Sequence, residues 1–104
     1  MRFKLFFIPM VEAVLKSPIR EENGTTVLTH FTRAYYVWAR DAQDAAELVR
    51  HDVAEDATVV EMDSPSERDL NDVPNDLKSV ITLDCGRGIC WRSGRAFFSD
   101  DESG

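Results

Sequence analysis

The chain reads as a small α+β domain: a mainly antiparallel sheet of five or six strands, with one principal helix at about residues 42–54 packed on one face. Three observations predict it. Residues 33–40, Arg-Ala-Tyr-Tyr-Val-Trp-Ala-Arg, run straight into the helix-patterned Asp-Ala-Gln-Asp-Ala-Ala-Glu-Leu-Val-Arg, and Val59, Val60 and Met62 follow. Strand, helix and strand with tight connections form a crossover unit, which sets its two strands parallel and right-handed. The flanking stretches, before and after, alternate between two faces or are apolar on both. Clusters of Pro, Asn, Asp and Gly punctuate them, as turns require.

The first strand is expected over 2–15. Phe3, Leu5 and Phe7 alternate with Lys4, Phe6 and Ile8, so both faces are largely apolar and the strand is central or covered. Pro9 cannot donate to a ladder, which predicts a bulge or an edge there. Val11, Ala13 and Leu15 then resume the alternation. Residues 17–24, with Pro18 and Asn23-Gly24, predict a hairpin connection.

The second strand is expected over 25–40. Val27, Thr29, Phe31, Arg33, Tyr35 and Val37 share one face, and Leu28, His30, Thr32, Ala34, Tyr36 and Trp38 the other. Asp41 is the natural cap of the helix, because its carboxylate can accept from the open amides of the first turn; Asp44 follows near the favourable end of the dipole. Ala42, Ala45, Ala46, Val49 and Val53 fall on one stripe, and their small side chains allow close approach to the sheet. Residues 64–76 carry two prolines and predict a loop with a short helical turn near 68–71. A strand is expected over 77–85. Gly86-Arg87-Gly88 turns the chain, and 89–92 with 95–98 predict a two-residue hairpin about Ser93-Gly94. The whole predicts one domain, 1–99, and an acidic tail, 100–104.

Charge is the most uneven property. The net charge is −7, yet residues 1–40 carry +3, residues 41–76 carry −10, residues 77–99 carry +3 and the tail carries −3. Such a surface repels phosphate, so direct nucleic-acid binding is not expected. A basic partner would be attracted instead, and encounter with it accelerated. No apolar run approaches the ~20 residues of a spanning helix, so no membrane segment is expected. Arg2 and Lys4 precede an apolar run, but Pro9 and Glu12 interrupt it and no small-residue cleavage site follows; a cytoplasmic location is expected.

Catalytic and metal chemistry find little support in the residues. Cys85 and Cys90 could be half of a zinc site, a redox pair or a disulfide. Zinc needs two further ligands, and only His30 and His51 offer nitrogen; His51 has no cysteine near it in the sequence. Two packed strand cysteines are the simpler reading. No elbow motif surrounds Cys85, Cys90 or Ser93, so no nucleophile scheme is expected. Gly86-Arg87-Gly88 with Arg92 and Arg95 could cradle an anion, although a turn explains the glycines. The chain is expected to be no enzyme and to use no cofactor or metal.

The acidic block is the candidate site. Twelve acids against two bases in 41–76 exceed what solubility requires, since mixed-sign surfaces suffice. Crowded like charges destabilise their own fold, so their retention points to a use. Asp44, Glu47, Asp52 and Glu55 lie on the helix arc opposite the apolar stripe, with Leu48 at its edge. Asp56, Glu61, Asp63, Glu67 and Asp69 continue the surface beyond it. Carboxylates so placed can occupy Lys and Arg groups that otherwise hold phosphates.

In size and charge alone the chain resembles, as a type, the small acidic inhibitors of phages and mobile elements, such as anti-CRISPR proteins and nuclease immunity proteins. That likeness implies a non-enzymatic inhibitor of a nucleic-acid-binding effector, with a toxin or nuclease as the alternative target. A further alternative is a self-associating assembly subunit. One helix cannot cover a sheet of five strands, so an uncovered face bearing some of the aromatics Tyr35, Tyr36, Trp38, Trp91, Phe97 and Phe98 would be open to a homodimer.

Overall fold

A computed structural model describes residues 3–20, 27–81 and 86–99. Two long antiparallel strands form its spine, β1 (Lys4–Arg20) and β2 (Val27–Ala39). The register runs Phe6 to Val37 and Ile8 to Tyr35, then shifts, so that Val11 faces Arg33. Pro9 and Met10 thus stand opposite Ala34 alone. This is the bulge expected at Pro9, and it has a consequence for packing. It moves the core-facing set of β1 from even to odd positions, so Phe6, Ile8, Val11, Ala13 and Leu15 all line one face. β1 also runs past the expected turn at Ser17 to Arg20. A second register irregularity between Val14 and Ile19 accommodates Pro18 and lets Ile19 and Arg20 pair with Leu28 and Val27. The expected turn at Asn23-Gly24 lies outside the described residues.

The helix α1 (Ala42–Val53) packs on that face, burying Ala45, Val49 and Val53 against Tyr35, Val37 and Ala39. Each buried valine contributes roughly 1.5–3 kcal/mol. Asp41 caps it as expected: the Asp44 amide donates to the Asp41 carboxylate at 2.8 Å. Ala42, expected in the buried stripe, is exposed, because the first turn overhangs the sheet end. The strand β3 (Ala57–Met62) then pairs antiparallel with the outer edge of β1. β2 and β3 are both antiparallel to β1 and hence parallel to each other, with β1 between them. The expected crossover is therefore present in split form.

A three-residue strand, β4 (Ser66–Arg68), continues along the same edge of β1 and was not legible in the sequence. The short helical turn expected near 68–71 is a 3₁₀ turn at Leu70–Asp72. The strand expected over 77–85 is not formed in its described part. Asn75–Lys78 is instead a short helix, α2, and Ile81 N–H donates to the Leu77 carbonyl at 2.9 Å. Pro74 opens this helix, and Leu77 and Ile81 reach the second sheet face from one side of it. Residues 82–85, including Cys85, lie outside the described residues.

The expected terminal hairpin is also absent. β5 (Gly88–Arg92) and β6 (Ala96–Phe98) do not pair with each other; both pair antiparallel with β2 along its outer edge. Ser93 spans the jog between them. Its amide donates to the Ala34 carbonyl at 3.0 Å, and its Oγ accepts from the Ala34 amide at 2.8 Å. A hairpin here would have left that stretch of β2 without partners.

The sheet face opposite α1 was expected to stand uncovered. Over one half it is covered: Leu5, Tyr36 and Trp38 pack beneath Val73 and Ile81, with Phe7, Leu70, Leu77 and Trp91 around them. Phe7 and Tyr36 meet with tilted rings at 4.7 Å and Tyr36 meets Trp91 at 5.7 Å. Over the other half Met10, Val14, His30, Ala34 and Phe98 remain half-exposed.

Candidate partner-binding surface

The ten residues expected to form one acidic surface are carried by α1 with the turn after it and by the β3–β4 edge with the turn after it. Three of them are held by arginines on or next to the chain's own C-terminal strands. Asp44 accepts from Arg87 Nε at 2.9 Å and Nη2 at 2.6 Å. Asp52 accepts from Arg92 Nε at 3.0 Å and Nη2 at 2.6 Å. Asp56 accepts from Arg95 Nη1 at 2.9 Å. The first two are bidentate forks, the geometry that gives arginine pairs their specificity. The result is a ladder of ion pairs that ties α1 and the turn after it to the β5–β6 edge.

The pairing sets the electrostatics. Arg87 hydrogen bonding, joined by the Arg40 amide at 3.0 Å, lowers the Asp44 carboxyl from its ordinary 3.8 to about 2. The Arg92 fork lowers Asp52 against the opposing effect of its burial. Tyr35, fully buried, donates its hydroxyl to Asp52 at 3.3 Å, and burial first, then the Asp52 charge, raises its pKa. Arg95 also lies over the Phe31 and Phe97 rings at 5.1 and 5.6 Å, so its guanidinium is held on both sides. These arginines are therefore engaged, and the anion cradle considered for Arg87, Arg92 and Arg95 is instead filled by the protein's own carboxylates.

The remaining members fall into two groups. Glu47 and Glu55 are exposed on and just beyond α1 and have no ion pair among the described residues, while Leu48 packs partly into the main core. Glu61, Asp63, Glu67 and Asp69 follow one another along the β3–β4 edge and the turn after it. There Lys4 meets Glu67 only at 4.0 Å with both side chains more than half exposed, and Asp69 caps the 3₁₀ turn by accepting from the Asn71 amide at 3.1 Å. An exposed pair of that kind contributes little.

One residue joins this edge that the reading of the 41–76 block missed. Glu12 of β1 stands directly opposite Glu61 of β3 in the strand register, and the next residue but one, Asp63, donates its amide to the Met10 carbonyl at 2.9 Å. Glu12 and Glu61 are thus register neighbours at the junction of β1 and β3, and Asp63 lies two residues further on against Met10. Like charges directly opposite across strands destabilise a sheet. The signal for Glu12 was present in the sequence: it is the only acid in the first strand, placed among apolar neighbours.

Among the described residues no group of three His, Cys, Asp or Glu side chains is arranged to hold a metal ion. Cys90 donates its thiol to the Tyr36 carbonyl at 3.3 Å, beside the second core. His30 hydrogen-bonds Thr29 and stacks on Phe98 at 5.3 Å. No described helix is long and apolar enough to cross a membrane. The chain matches no family model, no curated protein and no solved structure.

Proposed function

We propose that this protein is a non-enzymatic binding protein that meets a basic partner through the carboxylates at the β1–β3 junction. In doing so it occupies the partner's phosphate-binding surface. The supporting observation is the register pairing of Glu12 with Glu61, with Asp63 two residues further on bonded to Met10. These carboxylates repel one another in the isolated fold, and an arriving lysine or arginine relieves the repulsion. The acids of α1 and the turn after it differ, since Asp44, Asp52 and Asp56 already have arginine partners within the chain. The partner class that fits is a basic nucleic-acid-binding effector, with a toxin or nuclease as the alternative. Self-association through the half-exposed sheet face is disfavoured on the same ground, because two copies brought face to face would bring both Glu12–Glu61 pairs together.

The test is capture from the source cell with the wild-type chain and with a Glu12→Gln, Glu61→Gln, Asp63→Asn variant. A basic protein held by the wild type, released by salt and by added polyphosphate, and lost with the variant is expected. A partner captured equally by both overturns the proposal.

A further inference from the structure

The open edge of β3 points to how such a partner is held. Among the described residues β3 pairs on one side only, with β1, and its outward backbone groups have no partner. An edge of this kind is a template for another strand, because its N–H and C=O groups lie in a row. Val60 is the extra residue of a bulge, between the pairs Glu12–Glu61 and Ala13–Val59, and it is 53% exposed. It is the most exposed large apolar side chain described.

Charge decides what can pair there. A second copy of β3 would bring Glu61 and Asp63 against their own counterparts, so the edge is guarded against itself. A strand bearing lysine or arginine escapes that penalty and is drawn in by the same carboxylates. We propose that the outer edge of β3 receives an extended basic segment of the partner by strand addition, with Val60 as its apolar contact and Glu61 and Asp63 holding its cations. Backbone hydrogen bonds would supply affinity and the alternating side chains selectivity, as in other strand-addition complexes. This rests on the reading that the β1–β3 carboxylates are the binding surface, and adds the form of the ligand.

The probe is a short peptide alternating valine and lysine, compared with the same peptide N-methylated at every backbone amide. The two carry the same charge, and only the first can donate to β3. With isotope-labelled protein, the unmethylated peptide is expected to slow amide exchange within 57–62. Methylation is expected to weaken binding by about tenfold or more, since several backbone hydrogen bonds are lost. Glu61→Lys, at an exposed position, is expected to weaken the unmethylated peptide about fivefold or more. Equal binding of both peptides, with shifts still centred on Glu12, Glu61 and Asp63, overturns strand addition and leaves the binding surface standing. Binding unaffected by Glu61→Lys, or absent for both peptides, overturns both.

Discussion

Replacing Asp52 separates two contributions that the fold combines at one carboxylate. Asp52 holds the Arg92 fork at 3.0 and 2.6 Å and accepts from the Tyr35 hydroxyl at 3.3 Å. Its side chain is 24% exposed and that of Arg92 is 43% exposed. A bonded charge pair of this kind would contribute roughly 1.5–3 kcal/mol if shielded. Solvent around Arg92 screens it toward the range of exposed pairs, so about 1 kcal/mol is expected for the charge alone. Asp52→Asn removes that charge and keeps an oxygen for Tyr35. Asp52→Ala removes both, and a buried hydroxyl without an acceptor adds about 1–2 kcal/mol. The two variants should therefore lose about 1 and about 2–3 kcal/mol. That is a large share of the roughly 5–15 kcal/mol that stabilises a domain of this size. Urea unfolding followed by tryptophan fluorescence reads the difference as ordered midpoints: wild type, then Asn, then Ala, with unchanged slopes. Equal midpoints for the two variants would refute the role given to Tyr35. Both variants matching wild type would refute the ion-pair ladder itself.

Acid stability follows from the same ladder. Asp44 has a folded pKa of about 2 against an ordinary 3.8, so its stabilisation is present above about pH 4 and is lost as pH falls through 2. Asp52, also lowered, acts in the same direction. Asp44→Asn should flatten the decline of stability between pH 4 and 2, measured as urea midpoints across that window; an unchanged decline contradicts the pairing with Arg87. Ile81→Ala should cost about 2–4 kcal/mol, because Ile81 is fully buried over Trp38 and Tyr36, and should alter the near-ultraviolet signal of the aromatic cluster. A change below about 0.5 kcal/mol would mean that the 70–81 segment does not cover that face. Val60→Thr, at an exposed bulge position, should leave stability within about 0.5 kcal/mol while weakening the valine–lysine peptide, read by parallel unfolding and binding titrations.

The parts of the fold legible in advance were those where local chemistry and tertiary packing agree. Asp41 opens α1 because a carboxylate there meets an open amide, and Pro9 forces a bulge because it lacks a donor. The misreadings share one cause: short apolar runs have the same pattern whether they pair, coil or lie across a face. Leu77 and Ile81 were read as strand residues, but they are anchors that a helical turn sets onto Trp38 and Tyr36. Residues 89–98 suggest a hairpin because Ser93-Gly94 is good turn chemistry. In fact Ser93 engages both the N–H and the C=O of Ala34, through its Oγ and its amide, and keeps the chain running along β2. The charge blocks were legible as totals and not as pairings. The +3 of residues 77–99 beside the −10 of 41–76 was the available signal that Arg87, Arg92 and Arg95 would neutralise part of the helix's acidity. Spacing along the chain could not show that Glu12 would face Glu61, because that depends on the strand register.

The carboxylates divide into those paired with arginines within the fold and those proposed to meet another molecule. The most direct measurement is a side-by-side titration of the valine–lysine peptide against two neutralised proteins, one with Asp44→Asn, Asp52→Asn and Asp56→Asn, the other with Glu12→Gln, Glu61→Gln and Asp63→Asn. Each loses three negative charges, so any effect of net charge alone is the same in both. The first should bind within about twofold of wild type while unfolding at lower urea, and the second should lose binding by about tenfold or more without losing stability. The reverse order of affinities would contradict the account.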